Sequence, residues 1–547
     1  MMRSIKKLTA IFLSFAMLVS LSACGGNSSA GSDAETPTSS SGGSILRTTC
    51  TTTPDTCDPA KGSGENDNFL YVNVYEALVK PNETDGSAEG WLATDWSYDE
   101  DSMTYTFHLR NDAVFTDGTP LTAADVKYTT DRMLTINDGY SYLFVNYIDS
   151  TEVVDDYTVA FHLSQTFGPF VSALESLYIL NSTLMLANTE AAGEYGENGD
   201  YGTNYLLNHS AGSGPYEVSA FEVNSSYTLK QNPNWYGEIG EKAPEEVEVT
   251  LLTDAATSKM MLQNGDVDML HGHQELSTVS SLSNAGYKTA NLTEFGQDYF
   301  MMNVQKAPTD DIHVRRAIAY ACDYEAMSQI YGNCTIATGP IPEGLWGYTA
   351  TTSYTYDPDK AAQEIAASAY ADTLANYPIN IAYIQGNGET GKLCMLLAES
   401  LQNLGFTVNI EEVPWVSFCD NETDVSTSPN ITNCFVSTSY PEAGSLLETK
   451  FASWTLGNYN QNEWLQNDTL DGMILDALGT VDDDARAEKY AEIQNYVVDE
   501  LMPCAAVLVS TLMPVWNSSH FSWCVSDGTI RPVLEWNYYY NDFVMQD

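Results

Sequence analysis

Thr104-Tyr105-Thr106-Phe107-His108-Leu109-Arg110, followed by Phe115-Thr116-Asp117-Gly118-Thr119-Pro120-Leu121-Thr122-Ala123-Ala124-Asp125-Val126, decides the fold class. The first half alternates as a strand with one buried face does. Asp117-Gly118 then reads as a hairpin or tight turn, because glycine accepts a positive φ without steric cost. Thr122 with an acid three residues later, Asp125, is a helix start with threonine as N-cap. The same grammar recurs along the chain. Asp156 to Leu163 repeats the strand pattern, and Asp311 to Asp323 places Val314, Ile318 and Ala321 on one helical face. Lys392 to Leu404 carries Leu393, Leu396, Leu397 and Leu401 at helical spacing, Gly405 follows as a C-cap, and Phe406 to Ile410 alternates again. Arg486 to Leu501 reads as a helix with Tyr490, Ile493, Tyr496 and Val497 inward, and Ala505 to Ser510 as an apolar strand. Helices and strands that alternate in this way predict an α/β protein.

The chain has 547 residues, which at roughly 150 residues per domain means several domain-sized units or two large lobes. An apolar content of 43% is enough for buried cores and excludes global disorder. The net charge of −52 repels phosphate backbones and anionic headgroups, which argues against nucleic acid as a partner. Charged residues are only 18% of the total, while tyrosine numbers 34 and tryptophan 10, a composition suited to ligand clefts.

The N-terminus reads as an address. Arg3, Lys6 and Lys7 precede an apolar run from Leu8 to Leu21, too short for a mature membrane span. Leu21-Ser22-Ala23-Cys24 resembles a bacterial lipobox, which implies a signal peptide over 1–23, a lipid on Cys24 and attachment to the outer face of a membrane. Residues 24–44 are rich in Gly, Ser and Thr and read as a flexible tether. Of the later cysteines, Cys50/Cys57, Cys322/Cys334, Cys419/Cys434 and Cys504/Cys524 are candidate disulfides outside the cytoplasm, with connectivity left open.

Several segments in order resemble the peptide/nickel-binding family of solute-binding proteins that serve ABC importers. Besides the opening stretch they are Tyr75-Glu76-Ala77-Leu78-Val79, Trp91 to Trp96, Gly212-Ser213-Gly214-Pro215-Tyr216, Asn232-Pro233-Asn234-Trp235-Tyr236-Gly237 and Gly265-Asp266-Val267-Asp268. Val314-Arg315-Arg316-Ala317-Ile318, Tyr356 to Ala361 and Leu404 to Val408 complete the series. Most of these motifs are expected to be scaffold, with Arg315 and Arg316 satisfied by nearby carboxylates. The resemblance implies a two-lobe periplasmic-binding-protein-like fold with a hinge and an inserted subdomain. Lobe I would comprise 45–76, 205–296 and 507–547, the insert 77–204 and lobe II 297–506. It also implies a monomer that captures a solute, first an oligopeptide, and delivers it to the importer's permease subunits without a cofactor. The alternatives are a neutral oligosaccharide, a nickel- or haem-type ligand, and a non-transport adhesin or chaperone.

No catalytic constellation competes with that reading. Gly-x-Ser-x-Gly and the phosphate-binding GxxxxGK[ST] are absent from the sequence. Adjacent acids such as Glu411/Glu412 are unavoidable in so acidic a chain, and Asp482 to Asp484 read as charge at a helix N-terminus. His271-Gly272-His273 is a candidate metal chelate, against which stands the absence of histidine between His313 and His520.

The candidate ligand residues are Gly62, Ser63, Gly64, Tyr140 and Tyr142 from lobe I. Trp415, Ser437, Thr438, Ser439, Tyr440, Trp454, Asn458 and Tyr459 come from lobe II. The resemblance places an amine-binding acid where this chain has Ser439, and leaves Glu442 as structural. Lys450 is the one basic residue between Lys392 and Arg486, hence a candidate partner for a ligand carboxylate. Recognition is therefore expected to rest on aromatic faces and neutral hydrogen bonds rather than one dominant charge.

Overall fold

The hairpin and helix of the opening stretch form as the sequence directs in the computed structural model, which describes residues 44–82, 86–272, 274–293, 295–332, 334–386, 388–523 and 539–546. The leader, Cys24, the tether up to residue 43, His273 and Cys524 lie outside these residues. In chain order the framework begins with β1 (Ile45–Cys50), α1 (Glu65–Val74), β2 (Ala93–Asp99), β3 (Thr104–Leu109), α2 (Ala123–Ile136), β4 (Ile148–Asp155) and β5 (Thr158–Leu163). It continues with β6 (Tyr216–Glu222), β7 (Ser226–Gln231), β8 (Glu246–Leu251), β9 (Gly296–Met302) and α3 (Ile312–Ala321). Next come β10 (Ile379–Ile384), α4 (Gly388–Asn403), β11 (Val408–Val413), α5 (Trp415–Asn421) and β12 (Ile431–Ser437). Last are α6 (Ala443–Phe451), α7 (Asp468–Leu478), α8 (Asp483–Tyr496) and β13 (Cys504–Leu512).

Three sheets organise these elements. One runs β1-β8-β7-β6, in which the first strand pairs in parallel with one far along the chain, Ile45 opposite Glu246. A second is the antiparallel sheet β2-β3-β5-β4, where Phe107 and Phe161 turn inward. The third, seven-stranded sheet runs β13-β9-β12-β10-β11, with the short strands Leu292–Thr293 and Cys334–Ile336 beside β13. In it β10 pairs in parallel with β11 and β12, so α4 is a crossover helix. Its Leu393, Leu397 and Leu401 are buried, and Gly405 after it has φ +100°. A C-terminal glycine in the left-handed region ends such a helix without Cβ strain.

The motif series is scaffold, and its pieces converge. Glu76, 0% exposed, accepts hydrogen bonds from Ser213 Oγ (2.7 Å), Tyr236 OH (2.6 Å) and Trp235 Nε1 (3.2 Å). Three separated motifs thus meet at one buried carboxylate. Gly212 and Gly214 lie against the Val74 backbone, where a Cβ would stand 2.0 Å from Val74 O and 2.7 Å from Val74 C. Asp482 caps α8 by accepting from Ala485 N–H at 2.9 Å. That helix runs on through a wider π turn, Val497–Leu501.

Two expectations are corrected. Arg315 is satisfied by backbone carbonyls, those of Leu501, Met502, Thr309 and Asp310, not by carboxylates, and Arg316 donates to Asp499 O. The guanidinium serves there to fill orphan carbonyls at chain turns. The three candidate disulfides within the described residues, Cys50/Cys57, Cys322/Cys334 and Cys419/Cys434, do not form: the eight described cysteines are free, and Cys524 of the fourth pair lies outside them. Each sits in its own packing environment. Cys322 donates to Ile318 O of its own helix, Cys434 lies within β12, and Cys419 lies in α5. Burial pushes the Cys50 and Cys322 thiols up to about 12, so they pack as small apolar groups.

Candidate functional site

The end of β12 delivers Ser437 into a cavity of about 460 Å³. Ligands of α/β sheets lie beyond the carboxyl ends of parallel strands, and Ser437 is the last residue of β12, which pairs in parallel with β10. One wall is built from Ser437 to Tyr440, then α6 and the turns holding Trp454, Asn458, Tyr459 and Asn460. The facing wall comes from Ser63 and Asn68 at the start of α1, from the turn Gly139–Leu143 with Tyr140 and Tyr142, and from Tyr147 and Phe167.

The walls are linked and their aromatics fixed. Tyr142 OH donates to Ser439 Oγ at 2.7 Å, and Ser439 N–H donates to Ser445 Oγ at 2.7 Å. Asn68 Nδ2 donates to Tyr140 OH at 2.7 Å. Tyr147 stacks on Phe167 at 3.9 Å between centroids, and Phe167 meets Tyr440 edge-on at 6.2 Å. Asn68 Oδ1, Tyr440 OH and Asn460 Oδ1 have no protein partner, although buried polar groups normally do. Trp454 stays 47% exposed, an apolar face open to a ligand.

Ten of the expected residues meet here: Ser63, Tyr140, Tyr142, Ser437, Thr438, Ser439, Tyr440, Trp454, Asn458 and Tyr459. Gly62 and Gly64 do not line the cavity. Gly62 is buried where a Cβ would stand 2.4 Å from Tyr71 OH, and Gly64 is the N-cap of α1, so the two position Ser63. Trp415 opens instead onto a second chamber of about 1010 Å³, whose lining shares Ser437 and Tyr459 with the first. Its ring meets that of Tyr459 at 5.1 Å. His271 is buried with its ring edge-on to Phe69 at 4.5 Å, and His273 lies outside the described residues. Among the described residues no group of three or more His, Cys, Asp or Glu is set to hold a metal ion.

Lys450 does not reach the ligand space. Its ammonium is 0% exposed, 2.9 Å from Glu463 Oε1 and 4.0 Å from the centre of the Tyr299 ring. Glu442 is structural, as expected: it accepts from Arg486 Nε and Tyr490 OH, each at 2.6 Å. Sequence reasoning missed the group that carries charge in the first chamber. Glu448 on α6 lines it, and among the described lining residues it is the sole charged one. Trp454 Nε1 donates to its Oε1 at 3.2 Å. Burial pushes the carboxyl above its ordinary range, and the indole bond pulls it part-way back. The available signal was Leu446-Leu447-Glu448, an acid directly after two apolar helix residues and close behind the expected ligand loop.

Comparison with known proteins gives the same architecture. A probable D,D-dipeptide-binding periplasmic protein of Escherichia coli is 28% identical over 462 residues, covering 82% of this chain and 85% of that one. A substrate-binding protein of an ABC transporter from Listeria monocytogenes superposes with TM-score 0.80 at 20% identity, covering 92% and 100%. A periplasmic binding protein from Helicobacter pylori in complex with the peptide STSA gives 0.74 at 19%, covering 92% and 98%. The fold is therefore the two-lobe one of periplasmic binding proteins. The profile described as bacterial extracellular solute-binding proteins, family 5, middle region matches residues 87–453. This chain belongs to the bacterial extracellular solute-binding proteins, family 5, and is a binder of solutes rather than an enzyme.

Proposed function

We propose that this protein is a lipid-anchored receptor that captures a peptide between its lobes and passes it to an ABC importer. The observation that carries the reading is the uncompensated carboxylate of Glu448 in an otherwise neutral, aromatic cavity. A half-buried carboxylate in a neutral cavity favours a cation, and a peptide's amino terminus supplies one. Unpartnered acceptors at Asn68 and Asn460 suit amide N–H groups, and the exposed face of Trp454 suits an apolar side chain. A neutral oligosaccharide would stack equally well on tryptophan but would leave Glu448 unmatched. The relative named for a D,D-dipeptide supports the same ligand class.

Native mass spectrometry of gently purified protein tests this. A ladder of peptide masses is the expected result, and a sugar mass or a metal complex refutes it. The anchor is tested separately. Cys24→Ala should leave the protein soluble after a salt wash, because no described helix is long and apolar enough to cross a membrane.

A further inference from the structure

Trp454 does two things at one place. Its indole N–H donates to Glu448 Oε1 at 3.2 Å, which fixes the ring beside the carboxylate. The rest of the ring has no aromatic partner among the described residues, and Trp454 stays 47% exposed on the cavity lining. Trp415 differs, since its ring lies nearly parallel to that of Phe418 at 5.9 Å and also meets Tyr459. Tyr147 and Tyr440 border the same carboxylate: burial, and then the charge of Glu448, push both phenols above their ordinary range. Tyr147 is held flat against Phe167 at 3.9 Å. The acid of the first chamber is thus set among aromatic rings, one of which offers an open face.

Covalent geometry ties two recognition events together there. In a peptide the first side chain leaves the same Cα as the terminal ammonium, one N–Cα bond of about 1.46 Å away. An ammonium on Glu448 therefore brings the first side chain within reach of the indole that holds this carboxylate. In an extended chain the second side chain points to the opposite side and cannot use the same face. A methyl group covers little of an indole, whereas a phenyl or long aliphatic group covers much of it.

We infer that Trp454 selects the ligand by its first residue: with the peptide's ammonium on Glu448, the open indole face takes the side chain of that same residue, which is aromatic or large and aliphatic. This rests on the peptide reading above.

Calorimetry on the full chain with four probes tests it: Phe-Ala-Ala-Ala, Ala-Phe-Ala-Ala, Ala-Ala-Ala-Ala and N-acetylated Phe-Ala-Ala-Ala. Phenylalanine in first place should tighten binding about tenfold or more over tetra-alanine, the scale of burying one such side chain. In second place it should gain much less, and acetylation should weaken the first-place peptide by removing its cation. Trp454→Ala should erase the difference between first and second place, whereas Trp454→Phe, which keeps an apolar ring, should retain most of it. A merely structural role for Trp454 would weaken all four probes alike and leave that difference unchanged. Equal affinity for the first-place and second-place peptides, or a preference that survives Trp454→Ala, overturns the inference and leaves the peptide reading standing. Undiminished binding of the acetylated peptide overturns it as well, because the ammonium is then not at Glu448. If none of the four binds, the peptide reading falls and the inference with it.

Discussion

Glu448 and Lys450 stand two residues apart on one helix and therefore face different ways. The acid looks into the ligand space and the base into the core. That difference sets their roles, and it depends on the helix phase, which depends in turn on where α6 starts. The sequence shows both residues but not the phase, so Lys450 looked available and Glu448 went unnoticed. Lys450→Met would leave Glu463 buried without its counter-charge. Removing one partner of a buried pair costs about 3–5 kcal/mol, so the urea midpoint should fall steeply. Peptide affinity of the folded fraction should stay within about twofold, since the ammonium is not in the cleft. A variant of unchanged stability but lost affinity would place Lys450 at the ligand.

At the scale of elements, local rules were legible because local chemistry enforces them. The Thr122 N–H does donate to Asp125 Oδ2, at 2.9 Å. Gly118, in the predicted turn, has φ +81°. What the sequence hid is that Asp125 has a second duty. Its Oδ1 accepts from Ser182 N–H (2.9 Å) and Ser182 Oγ (2.6 Å), which ties α2 to the start of the short helix Ser182–Asn188. Asp125→Ala should therefore cost more than a cap alone, about 2–4 kcal/mol against about 1 for Thr122→Ala, measured by chemical denaturation. Equal losses would mean that the Ser182 contacts contribute nothing. The site divides along the same line. Ser437 to Tyr440 were found through motif order, because they adjoin a strand end. Asn68 and Phe167 were not, because they reach the cavity from elements with no ligand signal of their own. Cys419 and Cys434 show the converse, since closeness in sequence does not pair a thiol in α5 with one in β12.

At the scale of the whole molecule, the segment after β5 packs onto the helices that carry Glu442 and Arg486. Gly168 N–H donates to Leu478 O at 2.7 Å, and a Cβ there would stand 2.0 Å from Thr480 O. Ser172 Oγ reaches Glu442 Oε2 at 3.4 Å. Glu175 lies in this contact, 3% exposed, with neither carboxylate oxygen hydrogen-bonded. Burial, and then the charge of Glu442, push its carboxyl well above the ordinary range; Arg486 is already committed to Glu442. Glu175 is therefore held towards its neutral form in the folded chain, while in the unfolded chain it titrates as an ordinary glutamate. An acid raised on folding contributes stability that is full below its unfolded pKa and is lost as pH rises towards its folded one. The slope is about 1.4 kcal/mol per pH unit for one proton. Glu175→Gln removes that proton from the balance and keeps the shape. Urea denaturation across acid to mildly alkaline pH should show the variant no more stable than the parent below the unfolded pKa and progressively more stable above it. Parallel stability curves for the two proteins would show that Glu175 is already ionised in the fold and that the contact between these two parts of the chain holds no proton.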